Sequence, residues 1–211
     1  MQLSKEDHEA VSGAIRDAEK RTCGQIVCIL AHASSGYTYI PILWASVLAL
    51  AAPLPMILFT QWSVQRIYLV QLAIFIVAGF LFNLGPLRFA LVPGVVKRAR
   101  AHRAAVEQFV LRGISRTTNR CGVLVYVSLA EHYARIVADI GIAEKVPAAE
   151  WQAAIDALTV HMSDGRIAPG FIAAIGRCGA VLAAHAPPDG SPNTLPDRLY
   201  VMLEFPLTAF R

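Results

Sequence analysis

The sequence predicts a layered α/β or α+β domain interrupted by a two-helix transmembrane hairpin. Two apolar runs, residues 39–60 and 67–87, hold no charged residue and are separated by only six residues, 61–66. Crossing the hydrocarbon core takes ~20 apolar residues, and each run is that long. Outside the runs, helical and strand-like segments follow in the order α-β-(hairpin)-α-β-β-α-α. A short apolar segment before the hairpin (25–30) and another after it (122–129) have the composition of strands from one sheet. The hairpin then interrupts the sequence of the domain without dividing its fold, and an even number of spans returns the chain to the same side.

Residues 4–21 have the pattern of an amphipathic helix. Ser4 and Asp7 match a capping box, and Val11, Ala14, Ile15 and Ala18 recur on one face. Lys20 and Arg21 suit the negative end of the helix dipole, and Gly24 follows as a stop. The segment QIVCIL (25–30) is short and rich in Ile and Val, which predicts a strand buried on both faces. Ser34, Ser35 and Gly36 mark a turn. Pro41, Pro53 and Pro55 predict a kink or break near the outer end of the first span. Ala45, Ala49 and Ala52 form a small-residue stripe that Gly79 of the second span can face. Gln71 and Asn83 are the polar residues of the second run. No Asp, Glu, Lys, Arg or His lies inside either run, which argues against ion translocation or a proton relay.

After Arg88 the pattern is amphipathic again. Residues 102–115 put Val106, Phe109, Val110, Gly113 and Ile114 on one helix face, and 117–119 break it. GVLVYVSL (122–129) is the clearest strand. A four-residue turn, 130–133, leads to 134–140, so an antiparallel β-hairpin is predicted. In that second strand Ile136, Ala138 and Ile140 share one face, and Arg135, Val137 and Asp139 the other. Pro147 starts a helix with Trp151, Ile155, Leu158 and Met162 inward. Ser163-Asp164-Gly165 is a turn. Pro169 starts a last helix with Phe171, Ile175, Cys178 and Leu182 inward, and Gly170, Gly176 and Gly179 permit close packing. For the tail, 189–211, a short strand, a docked arm and disorder stay open. The expected organisation is a discontinuous cytoplasmic domain (1–38 and 96–187), a hairpin insertion (39–95) and a C-terminal tail (188–211).

Of 211 residues, 55% are hydrophobic, and the mean hydropathy is +0.49. The two runs supply much of that excess. Without them, about 160 residues remain, enough for one domain with its own core. The first apolar run begins too far into the chain for a signal peptide. Cys23, Cys28, Cys121 and Cys178 form no CxxC pair and read as buried or half-buried thiols in a reducing compartment. The net charge of +4 is uneven, since 88–120 carries +7 and the rest −3. Nucleic acid is one partner such a stretch fits. The membrane reading is the stronger one. Arg88, Lys97, Arg98, Arg100 and Arg103 follow the second span directly, suit anionic headgroups and mark the cytoplasmic side. The protein is expected in the inner (plasma) membrane, multi-pass, with both termini cytoplasmic.

The segments AIRDAEKRTCGQIVCIL (14–30) and 105–142, with RCGVLVYVSLAEHYARIVADIGI at its centre, resemble the TPM domain family, as do Asp164-Gly165 and Gly170-Phe171-Ile172. The resemblance covers most of the chain outside the hairpin. It implies a layered α/β/α sandwich with a central sheet. It also implies one of several roles, because some members are phosphatases, some bind divalent cations and others are accessory factors of membrane complexes. This chain departs from the family pattern at two points. Asp139 stands where the first glycine of a Gly-x-Gly-Leu segment is expected, and residues 142–148 after it hold Glu144 in place of an aspartate.

The polar residues that bear on those roles are Glu131, His132, Arg135 and Asp139 of the β-hairpin, together with Asp164. Glu131, Asp139 and Asp164 are the candidate ligands for Ca²⁺ or Mg²⁺. Arg135 is the candidate catalytic residue, holding a phosphate oxygen. The alternative is a solvated turn with a weak cross-strand ion pair, and turn chemistry for Asp164. No P-loop, EF-hand, HExxH or GxSxG pattern occurs in the sequence. The leading expectation is an accessory or interaction module working with the lipid bilayer and a membrane protein complex. A weak metal-dependent phosphatase and an anionic-lipid surface sensor are the alternatives.

Overall fold

The computed structural model describes residues 3–37, 39–117, 119–191 and 193–202. In chain order the elements begin with α1 (Lys5–Glu19), β1 (Gln25–Ala31), α2 (Tyr39–Ala51), α3 (Pro53–Phe59), α4 (Val64–Phe82) and α5 (Gly85–Ala90). They continue with α6 (Gly94–Leu111), a 3-10 turn (Ile114–Arg116), β2 (Gly122–Ser128), β3 (Tyr133–Ala138) and α7 (Ile140–Ala143). The last are α8 (Ala148–Ser163), α9 (Ile167–His185) and β4 (Leu199–Met202). The chain forms two compact units, one of Met1–Ser34 with Ala99–Arg211, the other of Ser35–Arg98.

The first unit is built on a four-stranded mixed sheet of order β3-β2-β1-β4. β1 pairs in parallel with β2, Gln25 opposite Gly122, and in parallel with β4, Cys28 opposite Leu199. β2 pairs antiparallel with β3, Tyr126 opposite Arg135. The two segments that flank the apolar runs in sequence are thus neighbours in one sheet. Every residue of β1 and β2 is buried, because both are interior strands with apolar partners on both faces. Alternation sends Ile26, Cys28, Leu30, Val123 and Val125 into one core with Val11 and Ile15 of α1, Leu158 of α8 and Phe171 of α9. It sends Val27, Ile29, Leu124 and Tyr126 into a second core with Ala104, Ala105 and Phe109 of α6. β4 resolves the open choice for the tail as far as Met202; residues 203–211 lie outside the described residues.

Helix ends follow local chemistry. The α1 capping box is present, with Asp7 N donating to Ser4 Oγ and Ser4 N to Asp7 Oδ2, both at 3.0 Å. The helix expected at 102–115 starts earlier, directly after Pro93, so the basic run 97–103 is helical. It ends before Gly113, whose φ of +68° is left-handed and suits glycine. Pro147 is the N-cap of α8, one position before the expected N1. α9 starts two residues before Pro169, which falls in the first turn where its missing N–H has no partner to lose. The second strand of the β-hairpin stops at Ala138, and that changes the reading of its faces. Ile140 opens α7 and is 51% exposed, so it does not continue the inner face of Ile136 and Ala138.

In the second unit, α2 and α4 pack on one another. The first apolar run breaks at Pro53, as its prolines predict, and α4 is set three residues upstream of the expected start, ending at Phe82. Tyr37, Ile40 and Val92 form a small core here, with Phe89 edge-on to Tyr37 at 5.9 Å. Most other large apolar side chains of this unit face outward, among them Phe59, Val64 and Phe80.

Candidate functional site

In open α/β sheets ligands bind outside the carboxyl ends of the parallel strands. At that end of β1 and β2 lies a buried network of hydroxyls around one carboxylate. Glu131, 6% exposed, accepts from Ser34 N at 2.9 Å through Oε1 and from the Ser128 hydroxyl through Oε2. Ser34 Oγ and the Tyr126 hydroxyl share a hydrogen bond of 2.9 Å. Burial pushes the Tyr126 phenol up to about 12, and the nearby Glu131 charge adds to that, so it keeps its proton at neutral pH. The loops are tied as well, since Leu129 N donates to Ala31 O and Ala130 N to His32 O. His132, next to Glu131, has a φ of +48°, a region non-glycine residues seldom occupy and one that recurs at functional sites.

The residues singled out from sequence do not converge. Glu131 precedes β3 and Asp139 follows it, so a six-residue strand separates them by roughly 20 Å. Arg135 is exposed on β3. It does not share a strand face with Asp139 as expected, because Asp139 has left the strand to cap α7. Its Oδ1 accepts from Ile140 N at 2.7 Å, while Oδ2 is buried without a hydrogen-bond partner. Asp164 ends α8 at the surface and pairs with Arg166 at 2.9 Å. Among the described residues no group of three or more His, Cys, Asp or Glu has the arrangement to hold a metal ion. Glu131 is also not in the solvated turn that its position suggested.

The sequence reads Ser34 only as a turn residue and gives Ser128 and Tyr126 no role beside Glu131, so their grouping comes from the structure. One signal was available, a tyrosine inside the otherwise aliphatic GVLVYV run, since a fully buried phenol requires a partner for its hydroxyl. The basic residues divide between helices. Arg88 is on α5, with its guanidinium 5.5 Å from the Phe89 ring. Lys97, Arg98, Arg100 and Arg103 are on α6. Within the second unit, a shallow cleft of about 210 Å³ is lined by Ser46, Tyr68 and Gln71 with apolar neighbours.

Among the described residues, three helical stretches are long and apolar enough to cross a membrane: Tyr39–Phe59 (α2 with α3), Val64–Phe82 and Ile167–His185. Their most apolar 18-residue windows are 11%, 6% and 50% buried, respectively. The first two are therefore nearly bare, whereas the third is half enclosed in the first unit.

Comparison with known proteins gives the fold a relative. The chain is similar to the NMR structure of the BA42 protein from the psychrophilic bacterium Bizionia argentinensis, at a TM-score of 0.61 and 19% identity. The match covers 95% of this chain and 96% of that one. At this identity the likeness shows the fold alone. No curated protein matches. Residues 86–181 match the family model described as the TPM domain. That span runs from α5 through most of α9 and includes β2 and β3, which carry Tyr126, Ser128, Glu131, Arg135 and Asp139. The resemblance seen in the sequence therefore holds over residues 86–181, the stretch that is similar to the TPM domain family.

Proposed function

We propose an integral inner-membrane protein whose cytoplasmic TPM domain is an accessory or interaction module of a membrane protein complex. The observation that carries this is the bare surface of α2–α4. Two apolar helices pack on each other and leave nearly all of their remaining surface uncovered, an arrangement unfavourable in water at ~25 cal/mol per Å² of apolar surface. In this reading α2–α4 is a transmembrane hairpin inserted between β1 and α6. The domain, 1–38 with 96–187, is an α/β/α sandwich with one core on each side of its sheet. Arg88, Lys97, Arg98, Arg100 and Arg103 face anionic headgroups and keep both termini cytoplasmic. The described groups at the carboxyl end of the sheet bond to one another, which favours a rigid recognition surface over a reactive centre.

Co-purification after mild detergent extraction tests the role. A specific membrane-protein partner is expected, and recovery of the protein alone under several extraction conditions would count against it. Reporter fusions at residue 63 and at the C-terminus test the topology, and an external C-terminus would overturn it. The metal-dependent phosphatase reading does not fit the geometry, because Glu131, Asp139 and Asp164 stand apart, and no step is drawn through Ca²⁺ or Mg²⁺. Hydrolysis of generic phosphate esters by the full chain with Mg²⁺, lost in both Arg135→Ala and Asp139→Ala, would restore it. Salt-sensitive binding to anionic vesicles, without any protein partner, would favour the lipid-sensor alternative.

A further inference from the structure

All four cysteines are free and lie on one side of the sheet, in or against the same core. They differ in access. Cys28 of β1 and Cys178 of α9 are fully enclosed, whereas Cys23 is half-buried at the rim, just before β1. Cys121 immediately precedes β2. The parallel register pairs Gln25 with Gly122, so one step earlier Gly24 stands beside Cys121. The approach is close, because a Cβ on Gly24 would lie 3.1 Å from Cys121 O. Cys23 is one Cα step of ~3.8 Å further along. Both side chains lie on the same face of the sheet, Cys121 in the core and Cys23 packed against it. We propose that Cys23 and Cys121 form a peroxide-sensitive dithiol that closes to a disulfide across the entry to the two central strands.

The chemistry balances with hydrogen peroxide as oxidant. The Cys23 thiolate, the accessible one, attacks a peroxide oxygen. An S–O bond forms, the O–O bond breaks, and the leaving oxygen takes up protons and departs as water. Cys121 then attacks the Cys23 sulfur, forming the S–S bond and releasing the sulfenic oxygen as a second water. The two thiols lose two electrons and the peroxide gains them. In the reduced state the sulfurs rest against carbonyls, Cys23 Sγ 3.6 Å from Ala186 O and Cys121 Sγ 3.2 Å from Asn119 O. Turning Cys23 away does not orphan Ala186 O, which keeps the Cys23 N–H at 3.1 Å and the Thr22 hydroxyl. The disulfide would staple the starts of β1 and β2 on either side of the Ser35–Arg98 insertion.

Membranes holding the full chain are treated with hydrogen peroxide, blocked with an alkylating agent, digested and mapped by mass spectrometry. The expected product is a Cys23–Cys121 linked peptide pair, reversed by dithiothreitol, with Cys28 and Cys178 still thiols. Cys28→Ser should retain the link, and Cys121→Ser should carry Cys23 on to sulfinic acid. A Cys28–Cys178 link in its place, or Cys23 sulfinic acid beside an alkylatable Cys121 in the unmodified sequence, would overturn the proposal. The map of the unmodified sequence decides even if Cys121→Ser fails to fold.

Discussion

Helices α4 and α9 are both 19 residues long and both apolar enough to cross a membrane, yet the core window of α4 is 6% buried and that of α9 is 50% buried. Apolar content does not separate them; the shape of their surfaces does. α9 carries glycines where its neighbours come closest. A Cβ on Gly179 would lie 2.8 Å from Ala18 Cβ of α1, and one on Gly170 would lie 3.0 Å from Leu158 O of α8. These gaps let α9 seat Phe171, Ile175 and Leu182 in the core. Gly79 of α4 has nothing within 4 Å of the same position, and the side chains around it, Ile76 and Phe80 among them, point outward. The same composition thus makes a core helix where small residues admit several neighbours, and a largely bare helix where Ala78 alone is buried.

The comparison breaks most readily at a pair of phenylalanines. Phe171 is fully buried and Phe80 is 70% exposed. Phe171→Ala should cost the first unit about 3–5 kcal/mol, and Phe80→Ala should leave that unit unchanged. Region-resolved hydrogen exchange on the detergent-solubilised protein reads both; equal losses of protection in β2 would refute the assignment of α9 to the core. A charge probes the other helix. Ile76→Arg at the centre of α4 should cost roughly 2.5–3.5 kcal/mol of membrane insertion. The readout is a shift of protein into the carbonate-extractable fraction, and an unchanged membrane fraction would speak against a spanning α4.

Glycines give a smaller and sharper contrast. Gly179→Ala should destabilise the first unit by about 1–3 kcal/mol, because neither the new methyl nor Ala18 Cβ can move aside. Gly79→Ala should be neutral or favour the helix by up to ~1 kcal/mol. Comparable destabilisation by both, in thermal unfolding, would remove the distinction.

The smallest effect tests how the tail is tied to the first unit. Glu19 accepts from Ile26 N at 2.7 Å and from Asn193 Nδ2 at 2.6 Å, and Asn193 also donates to Asp197. Burial, with the Asp197 charge adding, pushes the Glu19 carboxyl from an ordinary 4.5 up to about 8. Below pH 4.5 folded and unfolded chains both hold the proton, and the full contribution to stability is present. Between pH 4.5 and about 8 only the folded chain holds it, so stability falls as pH rises. Glu19→Gln should flatten that slope, worth about 1–2 kcal/mol once solvent screening is allowed for. An identical pH dependence of urea midpoints in both proteins would exclude the effect.

What was legible in the sequence follows from local rules. The capping box of α1, the strand character of β1 and β2, the short turn into β3 and the break at Pro53 each depend on residues within one or two turns of chain. The neighbouring position of β1 and β2 was also legible, because two doubly buried strands need each other. The candidate site was not. Glu131 reads as a turn residue until Ser34, 97 positions away, donates its N–H to it. Asp139 reads as a strand residue until the chain turns into α7. Period-2 spacing then loses its meaning, since it holds only while the strand continues.

By itself the sequence determined that two apolar segments interrupt an α/β domain, and which residues form its strands and helices, because periodicity, proline and capping act over a few residues. The tertiary structure alone decided which of three comparably apolar helices is enclosed, which carboxylates meet and which two thiols share a rim. Those outcomes depend on groups far apart in the chain coming within a few ångströms. No local pattern encodes that distance.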